Sequence, residues 1–422
     1  MTPAHATATA TAEADAANPA VSPATRRSIL LLSFATFASM VAQRICDAML
    51  PELSRTFSVS LAQAAQVVSV FAVVYGLSQL VYGPLGYRLG KFGVVTWATL
   101  ACSVGSVLAV FVDSLNMLLL ARVLVALGAA AIIPLSMAWI GDEVPYGQRQ
   151  ETLARVGLGT TLGIVGGQLF GGVITDTLGW RWAFGLMTLL FGVVGVLLLA
   201  DWRRQRARPA ATPDPAPGKR PGFASQALTI LAGRWTRIVL ITAFIEGVTG
   251  FGVLAIWASH LNQQLGLSLS AAGAIVALFG LGGMLYMLVA RQLIRRLGEG
   301  GLALAGCGIL GLCALVFGLS PYWALTLPAS LIAGFGFFMF HNTMQTNATQ
   351  MAPSARGTGV SMFALALFMG QSVGVLLAAW LLDYMASGVV IAVGGGTMAA
   401  LGAVFALALR RRDAWVGLQS AR

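Results

Sequence analysis

The sequence predicts an all-α integral membrane protein with twelve transmembrane helices in two pseudo-symmetric six-helix bundles. Three observations carry that expectation. First, 57% of the 422 residues are hydrophobic and only 10% charged, with mean hydropathy +0.81. A soluble protein of this size carries roughly a quarter charged residues. Second, the apolar residues gather in runs of about 20, the length a helix needs to cross a bilayer core of roughly 30 Å. A β-barrel would alternate in strands of about ten residues instead. Third, short patterns from the first half return in the second at a near-constant offset.

Residues 1–25 are rich in Ala, Thr and Pro and read as a disordered cytoplasmic tail. No apolar core with a small-residue cleavage site precedes Arg26, so the first run is expected to act as its own insertion signal. Residues 26–202 hold the first six runs, at 28–51, 62–86, 92–112, 115–140, 154–177 and 181–202. Their breaks are polar or turn-forming: Pro51, Arg88-Leu89-Gly90, Asp113, Pro145 and Gly179. Residues 203–229 form a basic, Pro/Ala-rich linker loop. Residues 230–411 hold six more runs, at 236–259, 270–294, 301–319, 323–350, 358–382 and 388–409. Residues 412–422 close the chain as a second cytoplasmic tail.

The halves read as repeats. Arg88-Leu89-Gly90 returns as Arg296-Leu297-Gly298, and Pro145 as Pro353, both 208 residues later. Gly167-Gln168-x-x-Gly171 returns as Gly370-Gln371-x-x-Gly374, 203 later. Parallel six-helix repeats with a site between them near the midplane describe a class of secondary transporter.

The net charge of +11 does not point to nucleic acid, because the charges sort by side. All but four of the 26 Lys and Arg fall on one face of the predicted topology. Arg55 and Arg181 lie on the other, and Arg44 and Arg122 lie inside runs. That asymmetry puts both termini in the cytoplasm of a multi-pass protein of the cell membrane. The four cysteines lie in apolar runs without metal-ligand spacing and read as small buried residues.

Several motifs, in order, resemble the major facilitator superfamily, and within it the twelve-helix drug:proton antiporter branch. Asp47-x-x-Leu50-Pro51 resembles that branch's first-helix signature. Gly83-Pro84-Leu85-Gly86-Tyr87-Arg88-Leu89-Gly90-Lys91 looks like the loop signature between helices 2 and 3. Arg122 with Gly128-Ala129-Ala130 looks like the helix 4 signature. Gly163-x-x-x-Gly167-Gln168-x-x-Gly171-Gly172 looks like the helix 5 antiporter signature. Gly179-Trp180-Arg181-Trp182-x-Phe184 resembles the entry to helix 6. The resemblance spans about residues 28–410 and implies proton-coupled efflux of small, drug-like molecules by alternating access. It implies a cytoplasmic gate at Gly83, Arg88, Gly90 and Lys91, with Asp142 as the carboxylate that pairs with Arg88. Tyr87 departs from the family's usual Asp, which would face the positive end of helix 11. Gln168 departs from the usual Pro.

The intramembrane charges are the candidate coupling residues. Of 15 acidic residues, only Asp47 and Glu246 lie inside runs by more than a turn. Charges at that depth cost a few kcal/mol or more and usually mark ion or substrate paths. Arg44 lies on the same helix face as Asp47, three residues away. Arg122 is expected at similar depth and could meet Asp47. A pairing arginine favours a charged carboxylate, and substrate or a helix shift could break the pair; a static ion pair is the plainer reading. Glu246 has no partner nearby in sequence. Gln168 and Gln371 could line the cavity or bond across helices. His341, read as the only histidine at membrane depth, and Asn342 are further candidate cavity residues. Gly163, Gly167, Gly171 and Gly172 read as close-packing positions.

The expected partners are a small-molecule substrate, protons or Na⁺, and the lipid bilayer, with no nucleic acid; the chain is expected to act as a monomer. No cofactor or metal is called for. Uptake of a sugar or organic anion by proton symport stays open, since Arg44 and Arg122 suit an anion. A facilitator without coupling also stays open. A membrane-embedded enzyme or sensor finds no support, because no Gly-x-Ser-x-Gly elbow, P-loop or metal-spaced cluster appears.

Overall fold

The computed structural model describes residues 21–207 and 223–420. Among them every regular element is helical, and ten helices are long and apolar enough to cross a membrane. The first half comprises α1 (Pro23–Arg44), α2 (Leu50–Phe57), α3 (Leu61–Leu89), α4 (Lys91–Val110), α5 (Leu115–Glu143), α6 (Tyr146–Thr177) and α7 (Trp180–Arg206). The second comprises α8 (Phe223–Ala232), α9 (Arg234–Glu246), α10 (Trp257–Gln263), α11 (Leu269–Leu319), α12 (Trp323–Gln350), α13 (Arg356–Leu381) and α14 (Ser387–Ser420).

Local chemistry sets the ends. Ser22 caps α1 with its hydroxyl on the Thr25 N–H, and Pro23 follows at the first turn. Ser60 and Gln63 form a reciprocal capping box at α3. Gly90 separates α3 from α4 at φ 85°, a backbone that only glycine adopts readily.

Several boundaries differ from the sequence reading. α1 begins at Pro23, inside the expected tail, because Ser22-Pro23 is a helix start. Residues 1–20 of that tail, 208–222 of the linker and 421–422 of the second tail lie outside the described residues. The linker's described ends are helical, in α7 to Arg206 and in α8. α14 runs on to Ser420 because no proline or glycine breaks it after Leu409 until Gly417. The runs at 270–294 and 301–319 belong to one 51-residue helical stretch, interrupted by Gly298 at φ 64°, ψ −179°.

Two large apolar cores form, beside a small third cluster of Ile230, Ala352 and Met362. One draws almost wholly on residues 31–198, the other on 239–409. The repeated glycines build both in the same way. A Cβ on Gly171 would lie 2.2 Å from the Ile45 carbonyl, and one on Gly374 2.1 Å from the Val248 carbonyl. Thus α6 presses on the end of α1, and α13 on the segment after α9.

Between the cores, contacts run from the middle of the molecule to the end opposite most of the arginines. A Cβ on Gly172 would lie 2.3 Å from the Leu269 carbonyl. The Asp176 carboxylate accepts from the N–H of Ser270 at 3.3 Å and from its hydroxyl at 2.6 Å, at the start of α11. Ser69 and Ser372 hydroxyls meet at 2.6 Å, and the Tyr75 and Phe368 rings lie 4.4 Å apart. At the basic end, a Cβ on Gly83 would meet nothing within 4 Å, and Tyr87 is 64% exposed.

Candidate functional site

The candidate site starts where α1 stops. After Arg44 the chain tightens into successive turns: Asp47 N–H bonds the Arg44 carbonyl and Met49 N–H the Cys46 carbonyl, each at 3.2 Å. This break holds Arg44 and Asp47, both fully buried, with Arg44 Nη1 3.3 Å from Asp47 Oδ2. Gly167 and Gly171 let α6 lie against the break, which delivers the intervening Gln168: its Nε2 donates to Asp47 Oδ2 at 2.8 Å. Asp47 Oδ1 and Arg44 Nε and Nη2 have no hydrogen-bond partner among the described residues. A buried pair so sparsely bonded recovers little of its desolvation cost. Arg44 also lies over the Phe251 ring, 4.4 Å from its centroid.

Arg122 does not meet Asp47. Its Nη1 donates to the Ala42 carbonyl at 2.7 Å and its Nε to the Val67 carbonyl at 3.2 Å, and it lies 4.2 Å above the Phe71 ring. The physical reason is the end of α1: Ala42 is in its last turn, where carbonyls lack amide partners and attract donors. Arg122 pins α5 to α1 and α3.

Glu246, fully buried at the end of α9, pairs with a residue 95 positions away. Its Oε1 lies 2.7 Å from His341 Nδ1, and His341 Nε2 lies 3.1 Å from Gln345 Nε2, one turn further along α12. With that amide nitrogen donating, His341 is the neutral tautomer that donates from Nδ1; an amide turned by 180° would suit an imidazolium. Phe337 stacks on the imidazole at 5.5 Å. A π-helical turn, Gly247–Gly252, follows Glu246 directly, a feature frequent at functional sites. It carries Phe251, whose ring also meets His341 edge-on at 5.7 Å. Phe251 therefore lies between the Arg44–Asp47 pair and the Glu246–His341 pair.

The two glutamines of the repeat do different things. Gln168 stays inside the first bundle, on Asp47. Gln371 reaches across, its Oε1 accepting from Gln43 Nε2 at 3.3 Å, with Gln43 Oε1 and Gln371 Nε2 left without partners among the described residues. Asn342 donates to the Tyr286 hydroxyl at 3.1 Å within the second bundle.

At the basic end the expected Arg88–Asp142 pair does not form. Asp142 pairs with Lys91, the first residue of α4, because Gly90 turns the chain toward the end of α5. Arg88 is exposed. Gly163, Gly167 and Gly171 all pack on α1 or its end, whereas Gly172 faces α11. His260, in the last turn of α10, is buried too, its Nδ1 2.8 Å from the Ser387 hydroxyl.

Sequence reasoning missed Gln43, Phe251 and Gln345. A glutamine in an apolar run was a usable signal for Gln43; a phenylalanine among 21 gave none for Phe251.

A sequence model of the Major Facilitator Superfamily matches residues 32–375. The multidrug export protein EmrB of Escherichia coli (strain K12) is 29% identical over 177 residues, 42% of this chain and 34% of that protein, so the match spans about a third of the exporter's length. An uncharacterized MFS-type transporter, YceJ of Bacillus subtilis (strain 168), is 25% identical over 343 residues, 79% of this chain and 83% of that protein. Among solved structures, a bacterial homolog of the human lysosomal transporter Spinster, in an inward-facing and unoccupied conformation, superposes with TM-score 0.69. It is 20% identical and the match covers 92% of this chain and 96% of that one.

Proposed function

This chain belongs to the Major Facilitator Superfamily, a family of transporters rather than enzymes, and from that premise we propose that it exports small amphipathic molecules in exchange for protons. One observation carries the reading: Glu246, fully buried, bonded to His341 at 2.7 Å, with its second oxygen free of partners among the described residues. A carboxylate–imidazole pair can take up a proton without leaving a bare charge in the membrane. Gln345, one turn away, can accept or donate by turning its amide, and so suits both protonation states of the ring. Asp47, with Arg44 and Gln168, is the second candidate proton site. Arg122 holds α1, α3 and α5 around it.

Twelve crossings are proposed, counting α1 with α2 as one, α9 through α10 as one and α11 as two limbs meeting at Gly298, with the short α8 outside the count. Both termini then lie in the cytoplasm of a cell-membrane protein, as the arginine distribution supports. The bundles rock about the central pairs. The contacts at Gly172 and Asp176–Ser270 part when the far end opens, and the basic end, sparse in contacts, closes in turn. Inward proton flow is worth about 2.3 kcal/mol per charge per 100 mV.

A second reading, uptake of an organic anion, is favoured by one feature: Arg44 keeps two donors, Nε and Nη2, without partners among the described residues. Inverted vesicles containing the full chain separate the readings. A panel of toxic cations, anions and neutral compounds is presented with an acid-interior gradient, then with a Na⁺ gradient instead. The proposal expects accumulation of at least one amphipathic compound under the proton gradient, and loss of that accumulation in Glu246→Gln and in His341→Ala. Gradient-driven accumulation that survives both substitutions would reject the assignment.

A further inference from the structure

Away from the central pairs, the first bundle carries a lipid-facing groove of about 670 Å³ at its basic end. Its floor is made by small residues: a Cβ on Gly128 would lie 2.6 Å from the Ala98 carbonyl, so α5 and α4 touch there and leave no side chains to fill the space above. Tyr82, Leu85 and Leu89 of α3 form one wall. Trp97 of α4 and Trp202 of α7 form the other, their rings edge-on at 6.3 Å.

We propose that this groove binds an anionic phospholipid from the leaflet at the basic end, one acyl chain in the groove and the phosphate on Arg206. Length, polarity and charge each fit that occupant. From Gly93 to Val104, both in the lining, α4 climbs roughly 16 Å at 1.5 Å per residue. One leaflet of a bilayer core is about 15 Å thick. Indoles sit at the membrane–water boundary, and Trp202 marks that level at the groove's mouth. There Arg206 lies over Trp202, 4.2 Å from its ring centroid, and has no carboxylate within 4.0 Å among the described residues. A guanidinium held at the edge of an apolar slot meets a phosphate with bidentate donors. Arg204 is exposed but does not line the groove, and so provides an internal control.

The test uses the purified full chain in detergent, titrated with dioleoylphosphatidylglycerol or dioleoylphosphatidylcholine and read by native mass spectrometry. The wild type is expected to bind the anionic lipid about fivefold more tightly, the effect of one arginine near the surface. Arg206→Gln removes that preference and leaves phosphatidylcholine binding in place. Ala101→Trp, which fills the groove from an exposed position, weakens both lipids. Arg204→Gln retains the preference. Circular dichroism confirms that each variant is folded. Equal binding of the two lipids by the wild type, a preference that survives Arg206→Gln, or an equal loss in Arg204→Gln would each overturn the proposal.

Discussion

Asp47 and Glu246 are both fully buried, beside different partners. Asp47 has a cation and an amide beside it, while Glu246 has an imidazole. Breaking a buried pair costs about 3–5 kcal/mol, because the remaining charge is stranded, whereas replacing both partners by apolar residues is often neutral. Arg44→Met and Asp47→Leu are therefore each expected to lower thermal stability in detergent clearly, and the double variant to recover most of it. Additive losses would contradict the pairing. At this scale the sequence revealed the costly charges themselves, since a carboxylate inside an apolar run stands out. It did not reveal their partners. His341 is 95 residues from Glu246, and Arg122 turned from Asp47 to the carbonyls of Ala42, at the end of α1, and Val67, within α3. Asp142 chose Lys91 over Arg88 for a reason equally local, the turn at Gly90.

Two broken helices organise the centre, α1 after Arg44 and α9 after Glu246, and glycines on α6 and α13 seal both breaks. Close packing predicts a sharp positional contrast. Gly171→Ala would place a Cβ 2.2 Å from the Ile45 carbonyl and Gly374→Ala one 2.1 Å from that of Val248. Each should force the helices apart and cost about 1–3 kcal/mol or more, as overpacking does. Gly83→Ala, with open space around it, should stay within about 0.5 kcal/mol of wild type. Thermal unfolding of the three variants decides; equal effects would contradict the packing account. These glycines were legible as a repeated spacing, because close approach demands a small residue at fixed intervals. The breaks were not, because neither Ile45–Met49 nor Gly247–Gly252 contains proline, and the three glycines of the second read as packing positions in a membrane run. The extent of α14 was missed for the converse reason: a charged helix leaving the membrane looks like a tail.

Across the whole molecule, two cores meet through their middle and far end, and the basic end is sparse in contacts. The multi-pass, all-helical membrane class was readable because hydrophobic length and composition are bulk properties of the chain. The relation between the bundles was not, because it rests on single atoms from opposite halves, such as Gln43 on Gln371 and Asp176 on Ser270. The central claim is that binding of an exported molecule and proton occupancy of the Glu246–His341 pair exclude one another. Proton release from the purified full chain on addition of tetraphenylphosphonium, followed with a pH-sensitive dye in weakly buffered detergent, tests it most directly. Wild type should release protons as the cation binds, and Glu246→Gln should bind with that release abolished or strongly reduced. Binding by the wild type without proton release, or undiminished release from Glu246→Gln, would contradict the account.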